Sequence, residues 1–338
     1  MKILIIGGTV FLGQAFATEA LARGWEVTTF NRGRSAADLP GVSVIRGDRE
    51  SEADLARLAE AGPWDAVVDV CGYAPTVVGA SARALSGRAG SYLYVSTINA
   101  VQGWPALPVD ESAPLLPGAA DAGPGDGDYG SLKAGSERAV EQHFQGDVLV
   151  LRPGVVVGPG ERLQRVPWWL RRAERGGPML VGGAAGRTMQ LIDVRDLAIF
   201  GLDRLAAGDR GAYLTGGEPA NTDWGAFLAQ CAELTGGTAE PVFVTDEFLL
   251  QNGVQPLLGL PLWVPQVPPL AAVWDFSATK ALAAGLRCRP VAQTVRDTWD
   301  WLNRPGSEQE AFGQYRDFPD RGLSAERERE LLEAWAAR

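Results

Sequence analysis

The stretch that most limits the fold stands at the beginning of the chain. A β-rich apolar run, Lys2–Ile6, leads into Gly7-Gly8-Thr9-Val10-Phe11-Leu12-Gly13, then a helical pattern through Leu21 that stops at Gly24. A strand with no polar alternation is one buried on both faces. Glycines directly after it permit a tight turn. The helix that follows offers free N–H groups and the positive end of its dipole to a phosphate. The spacing here is Gly-x5-Gly with an additional Gly8, and Val10 stands where a middle glycine is usual.

The same alternation continues. Residues 25–30, 42–46, 65–70, 91–95 and 148–151 read as strands, and 52–61, 76–85 and 129–144 as helices. Strands alternating with helices over the first 150 residues imply an α/β fold with a doubly wound parallel sheet. Ligands of such sheets lie outside the carboxyl ends of the strands. Those ends are Gly7, Asn31, Gly47-Asp48, Cys71, Ser96-Thr97 and Arg152-Pro153. After the second strand, Asn31-Arg32-Gly33-Arg34 carries two arginines and no acid. That suits a 2′-phosphate better than a free ribose diol, so Arg32 and Arg34 point to NADP ahead of NAD. Asp48 can reach the adenine.

Residues 103–128 interrupt the rhythm with five prolines and with acids at Asp110, Glu111, Asp121, Asp126 and Asp128. A loop of this length inside a domain reads as a pocket rim or lid. It joins Thr97 to Asp128-Tyr129-Gly130-Ser131-Leu132-Lys133. A tyrosine and a lysine four apart at a helix start share one face. An ammonium that close stabilises a phenolate, which lets the tyrosine exchange a proton below its free pKa of about 10.

Beyond residue 160 the alternation decays, and the second half reads as a smaller, mostly α C-terminal substrate lobe. The expected division is 1–160 plus about 186–217 for the dinucleotide-binding domain, with 161–185 and 218–338 for the lobe. Its tryptophans (Trp168, Trp169, Trp224, Trp263, Trp274, Trp299 and Trp301) read as core.

Composition narrows the partners. A net charge of −10 argues against nucleic acid or an anionic membrane surface. Cys71, Cys231 and Cys288 are odd in number and widely spaced, which suits a cytoplasmic protein with no disulfide framework and no metal site. No apolar run approaches the about 20 residues that span a bilayer, and the opening run is too short for a secretory leader. The single histidine, His143, reads as a solvated helix residue.

Gly7…Gly13, Thr97 at the fifth strand end, Tyr129…Lys133, Leu151-Arg152-Pro153…Val157-Gly158-Pro159 and Ile192-Asp193-Val194-Arg195-Asp196-Leu197-Ala198 occur in one order along most of the chain. With them the chain resembles the short-chain dehydrogenase/reductase superfamily, and within it the extended, NAD-dependent epimerase/dehydratase branch. The missing middle glycine is closer to an atypical subgroup, some of whose chloroplast members are RNA-associated. The resemblance implies a Rossmann fold and an NAD(P)-dependent oxidoreductase or epimerase acting on a carbonyl or hydroxyl substrate. Tyr129 would be the acid/base. Lys133 would hold the nicotinamide ribose and lower the phenol pKa. Thr97, with Ser96 as second choice, would orient the reacting oxygen. Cofactor contacts would come from Gly7, Thr9, Val10, Phe11, Leu12, Gly13, Asn31, Arg32, Arg34, Asp48, Cys71, Lys133 and Pro153. A homodimer through sheet-flanking helices is usual in such families.

One departure narrows the chemistry. Sugar-nucleotide dehydratases of this family place Asp-Glu after the threonine, whereas Ile98-Asn99 stands here and neither is an acid or base. Arg187 and Arg195 are candidates for a substrate diphosphate, or equally for pairing with Asp193 or Asp196, which leaves a nucleotide sugar open as substrate. The competing reading is a non-catalytic cofactor-binding regulator or RNA-associated protein of the same fold.

Overall fold

Alternate residues of the first strand, β1 (Lys2–Ile6), serve opposite layers, which is why all four apolar positions are buried. Ile3 and Ile5 join the cluster formed with Phe16, Ala17 and Ala20 of helix α1 (Phe11–Ala22) and Leu197 and Ala198 of a later helix. Leu4 and Ile6 join Leu55, Leu58, Val78, Ala82 and Val140 on the other face. Full burial of each such side chain contributes about 1.5–3 kcal/mol. Two helical layers therefore cover one sheet. The structure is a computed structural model that describes residues 1–307 and 321–338. Residues 308–320, part of the expected lobe 218–338, lie outside the described residues.

The sheet adds β2 (Glu26–Asn31), β3 (Ser43–Arg46), β4 (Trp64–Asp69), β5 (Ala89–Val95), β6 (Asp147–Pro153) and β11 (Gly211–Thr215). Its order is β11-β6-β5-β4-β1-β2-β3, and every pairing is parallel. Helices α2 (Glu52–Glu60), α3 (Pro75–Leu85), α4 (Tyr129–His143) and α6 (Val194–Ala206) make the crossovers with α1. The strand order reverses between β1 and β4, so their carboxyl ends open the crevice where this architecture binds ligands.

The proline-rich segment 103–128 is tied down at both ends: Pro105 O and Val109 O accept from Ala272 N and Ser277 N, and residues 116–119 pack along α4. A Cβ at Gly118 would lie 2.2 Å from Ser131 O, and one at Gly135 would lie 2.4 Å from Ala119 O. Arg138 adds hydrogen bonds to Gly118 O and Leu116 O, both at 2.9 Å. His143 is half-buried rather than solvated, because its ring faces Gly79 of α3 and Arg83 Nη2 at 3.2 Å.

Between β6 and β11 lie β7 (Val155–Val157), α5 (Arg165–Glu174), β8 (Gly177–Gly182), β9 (Thr188–Met189) and β10 (Leu191–Asp193). Residues 188–193 thus form two short strands. β10 pairs with β7, and β9 pairs antiparallel with β12 (Thr222–Asp223). A separate hydrophobic cluster holds Trp169, Trp224 and Trp263 fully buried, with Trp168, Trp274, Trp299 and Trp301 packed against it. The tryptophans are core, as expected. The cluster rests on α5, α7 (Trp224–Thr235) and the parallel pair β8 and β13 (Ala239–Val244). The helix Ala325–Ala336 is tied to it by buried Glu328, which receives Arg172 Nε at 2.7 and 2.6 Å and Leu180 N at 3.0 Å. No helix among the described residues is long and apolar enough to cross a membrane.

Candidate active site

The β1–α1 turn is shaped for close approach of a ligand. Gly7 and Gly8 have φ of +109° and +99°, and Gly7 N donates to Phe30 O at 2.9 Å. A Cβ at Gly13 would lie 2.5 Å from Gly8 N, so only glycine lets α1 start this near the turn. Val10, at the N-cap, gives no side-chain hydrogen bond to the first turn. The first-turn N–H groups of α1 thus lack a side-chain cap from Val10, which suits a pyrophosphate. Thr9 is buried at 7% exposure, and Val10, Phe11 and Leu12 are half-buried around the turn. These residues fit a dinucleotide. Cys71 lies under the turn with its thiol on Ile6 O at 3.4 Å, and burial raises the thiol pKa. It forms part of the floor of the turn.

At the β2 end the arrangement is richer than two loop arginines. Asn31 Oδ1 accepts from Gly33 N at 2.8 Å and from Arg46, and Asn31 Nδ2 donates to Asp38 at 3.1 Å. Arg46 also forks onto Asp38. Its hydrogen bond, ahead of the opposing effect of burial, holds the Asp38 carboxyl below the usual range. Arg32 faces Asp48 at 3.9 Å, while Arg34 is exposed. The edge expected to carry no acid thus holds Asp38, brought back by the loop seven residues after Asn31.

At the other end of the crevice, β5 runs into Ser96 and Thr97, and Thr97 caps a single 3-10 turn, Ile98–Ala100. Asp128 caps α4 by accepting from Ser131 N at 2.8 Å, which sets Tyr129 as the first helical residue. Gly130 allows α4 to touch that turn: a Cβ there would lie 2.2 Å from Asn99 O. Tyr129 is 48% exposed and Thr97 7%. Burial pushes the Tyr129 phenol above its ordinary value, and a hydrogen bond from Thr97 acts in the opposite sense.

Lys133 is 3% exposed and donates to Gly72 O at 2.9 Å and Val95 O at 2.8 Å. Its ammonium also lies 4.2 Å from the Tyr94 ring centroid, and Tyr94 donates to the same Gly72 O at 2.9 Å. Desolvation draws the amine down to about 7, against the pull of Asp69 and Glu137. The expected lowering of the phenol by Lys133 is therefore corrected: the amine is directed at two carbonyls, and the phenol is raised. Ser96 is likewise not brought to the phenol. Its hydroxyl donates to buried Glu137, which Arg152 grips at 2.7–3.2 Å. Pro153 is buried at the β6 end, opposite Thr215 of β11.

Under the crevice, Arg49 forks onto fully buried Asp69 at 2.9 and 2.7 Å, and Tyr92 donates to the same carboxylate at 2.8 Å. Burial works to raise this carboxyl, and Arg49 and Tyr92 outweigh it, so it lies below the usual range. Asp69 Oδ1 also accepts from Cys71 N at 3.2 Å, which fixes the strand end that carries Gly72. Neither candidate for a substrate diphosphate is available. Arg187 is forked onto Asp246 at 2.7 and 2.9 Å. Arg195 is held by Asp193 at 2.9 and 2.7 Å and by Asp297 at 2.7 Å.

Several residues that shape this crevice escaped sequence reasoning. Asp38 and Arg46 gave no motif, and the Arg49–Asp69 pair joins residues 20 apart. Tyr73 had a usable signal, since it directly follows Cys71-Gly72 at a strand end. It is 64% exposed, with its ring centroid 5.9 Å from Lys133 Nζ.

Residues 3–212 match the model of a family described as the NAD dependent epimerase/dehydratase family. The chain is 29% identical over 246 residues to a 2-alkyl-3-oxoalkanoate reductase of Stenotrophomonas maltophilia, covering 65% of this chain and 72% of that one. It is 27% identical over 259 residues to the chloroplast stem-loop binding protein of 41 kDa b of Arabidopsis thaliana, covering 72% of this chain and 65% of that one. Among solved structures, the UDP-glucose 4-epimerase of Thermotoga maritima with UDP-glucose superposes with a TM-score of 0.65 at 17% identity, covering 89% of this chain and 98% of that one.

Proposed function

The chain belongs to the NAD dependent epimerase/dehydratase family, and from that premise we propose that it interconverts a ketone and a secondary alcohol with Tyr129 as the acid/base. The observation that carries this reading is the accessible Tyr129 phenol beside the nearly buried Thr97 hydroxyl, at the strand edge where Lys133 is anchored. The bound nicotinamide cofactor supplies the hydride that reaches the carbonyl carbon. Tyr129 gives the proton that the carbonyl oxygen gains, so hydride and proton together make the alcohol. A phenol raised above its ordinary value stays protonated at neutral pH, as a proton donor must. Thr97 donates a hydrogen bond to the same oxygen. In its ammonium form Lys133, with two of its three protons on carbonyls, has one left for the cofactor ribose.

The substrate reading favours a ketone without a nucleoside diphosphate. Arg187 and Arg195 are both consumed by internal carboxylates, and the reductase among the relatives is named for a 3-oxo acid. For the cofactor, Arg32, Arg34 and Arg46 at the ends of β2 and β3 favour NADPH, with Asp38 holding Arg46 in the absence of a phosphate. RNA association, suggested by the name of the chloroplast relative, is disfavoured by the net charge of −10. The test is the fall in absorbance at 340 nm when NADPH or NADH is mixed with 3-oxo esters, run beside a chromatographic assay for conversion of UDP-glucose to its 4-epimer. Oxidation of NADPH with a 3-oxo ester is expected. Turnover with UDP-glucose alone would contradict the substrate reading, and equal affinities for NADPH and NADH would contradict the cofactor preference.

A further inference from the structure

Asn99 stands beside the proposed site with no task assigned to it above. Its backbone N–H and its Nδ2 both reach Thr97 Oγ1, at 3.2 and 3.0 Å. A threonine hydroxyl has one proton to give and two lone pairs with which to accept. With both lone pairs taken, Thr97 can make a further hydrogen bond only as a donor. The turn that sets this is held from two sides. The start of α4 rests on Asn99 O at Gly130, and Leu116 N donates to Ala100 O at 2.8 Å.

We propose that Asn99 is a positioning residue that fixes Thr97 as a hydrogen-bond donor, so that the site receives a carbonyl or oxyanion oxygen and not a hydroxyl proton. The inference rests on the roles given to Thr97 and Tyr129 above. A carbonyl oxygen offers only lone pairs, and its reduction builds negative charge on that oxygen. A donor-only hydroxyl favours both. An alcohol can meet Thr97 only through a lone pair, which leaves its O–H for Tyr129 and fixes which group exchanges the proton. The amide is essential to the device. A carboxylate at the same position is acceptor-only, and it would draw the Thr97 proton to itself.

The experiment is a double-mutant cycle on Asn99→Asp and Thr97→Val with two readouts. The first needs neither substrate nor cofactor: the ionisation of Tyr129, taken as the absorbance change at 295 nm that Tyr129→Phe lacks. Tyr73 also faces this phenol and is unchanged throughout the cycle. The second is kcat/KM for ketone reduction. Asn99→Asp should move the phenol ionisation to higher pH and lower kcat/KM by about 10- to 100-fold, with the cofactor dissociation constant within about twofold. In the Thr97→Val background the new carboxylate acts on the phenol only directly, so the shift in ionisation and the loss of kcat/KM should both be at most half as large. Equal effects of Asn99→Asp with and without the Thr97 hydroxyl would overturn the proposal. Should Asn99→Asp not fold, Asn99→Ala removes one of the two hydrogen bonds and carries the same cycle with a smaller effect in the same direction. If the protein reduces no ketone, the functional reading fails on its own, and the phenol titration still decides the role of Asn99.

Discussion

Replacing Lys133 by methionine tests the electrostatics of the site without any substrate. The amine is drawn from 10.5 to about 7 chiefly by desolvation. At about 1.4 kcal/mol per pH unit, the charged form costs the folded chain about 5 kcal/mol relative to the unfolded one. Between about pH 7 and 10.5 the unfolded chain holds a proton on this group that the folded chain lacks, so stability rises with pH across that window. Below about pH 7 both states are protonated and the penalty is complete. Methionine has similar length and no charge. It leaves Gly72 O and Val95 O without this donor, a loss of about 1–3 kcal/mol each that does not vary with pH. The informative quantity is therefore the difference in unfolding free energy between Lys133→Met and the unaltered protein, followed with pH. That difference should shift against the variant by roughly 2–3 kcal/mol between pH 7 and pH 9. Urea unfolding of the cofactor-free proteins at several pH values and constant ionic strength measures it. A difference independent of pH would show that the folded amine titrates normally, and the account of a desolvated lysine would be wrong.

Asp69→Asn should cost about 3–5 kcal/mol in urea unfolding, because it strands the Arg49 charge in a buried site; a loss below 1 kcal/mol, the scale of an exposed ion pair, would contradict the burial described. Gly130→Ala forces a Cβ to within 2.2 Å of Asn99 O and 2.9 Å of Leu116 Cδ1. It should lower stability by about 1–3 kcal/mol, read as a drop in the thermal midpoint, and an unchanged midpoint would mean that α4 does not rest on the 3-10 turn as described.

The sheet was legible because its central strands β1, β4, β5 and β6 are largely buried and alternate with helices, so they announced themselves as apolar runs. The second half was harder for a physical reason. β8 begins Gly177-Pro178 and offers only Met179-Leu180-Val181 before Gly182, too short a run to tell a strand from a buried loop. β7 and β10 are three residues each and pair only with one another. Of the site, the positions on strand ends could be read, since a strand end fixes a residue at the crevice whatever its partners. Side-chain commitments could not. Ser96 and Thr97 are neighbours of similar chemistry, and only the fold shows Ser96 tied to Glu137. Arg187 looked available until Asp246, 59 residues later, was placed against it. Asp38 was missed because its loop, and not its spacing, returns it to the β2 edge.

The claim that Tyr129 is the acid/base is tested most directly by Tyr129→Phe, with cofactor affinity and ketone turnover measured on the same preparation. Removing one hydroxyl from a half-exposed ring should leave cofactor binding within about twofold and lower turnover at least a hundredfold, the scale of a lost general acid. Turnover equal to that of the unaltered protein, with cofactor still bound, would contradict the account.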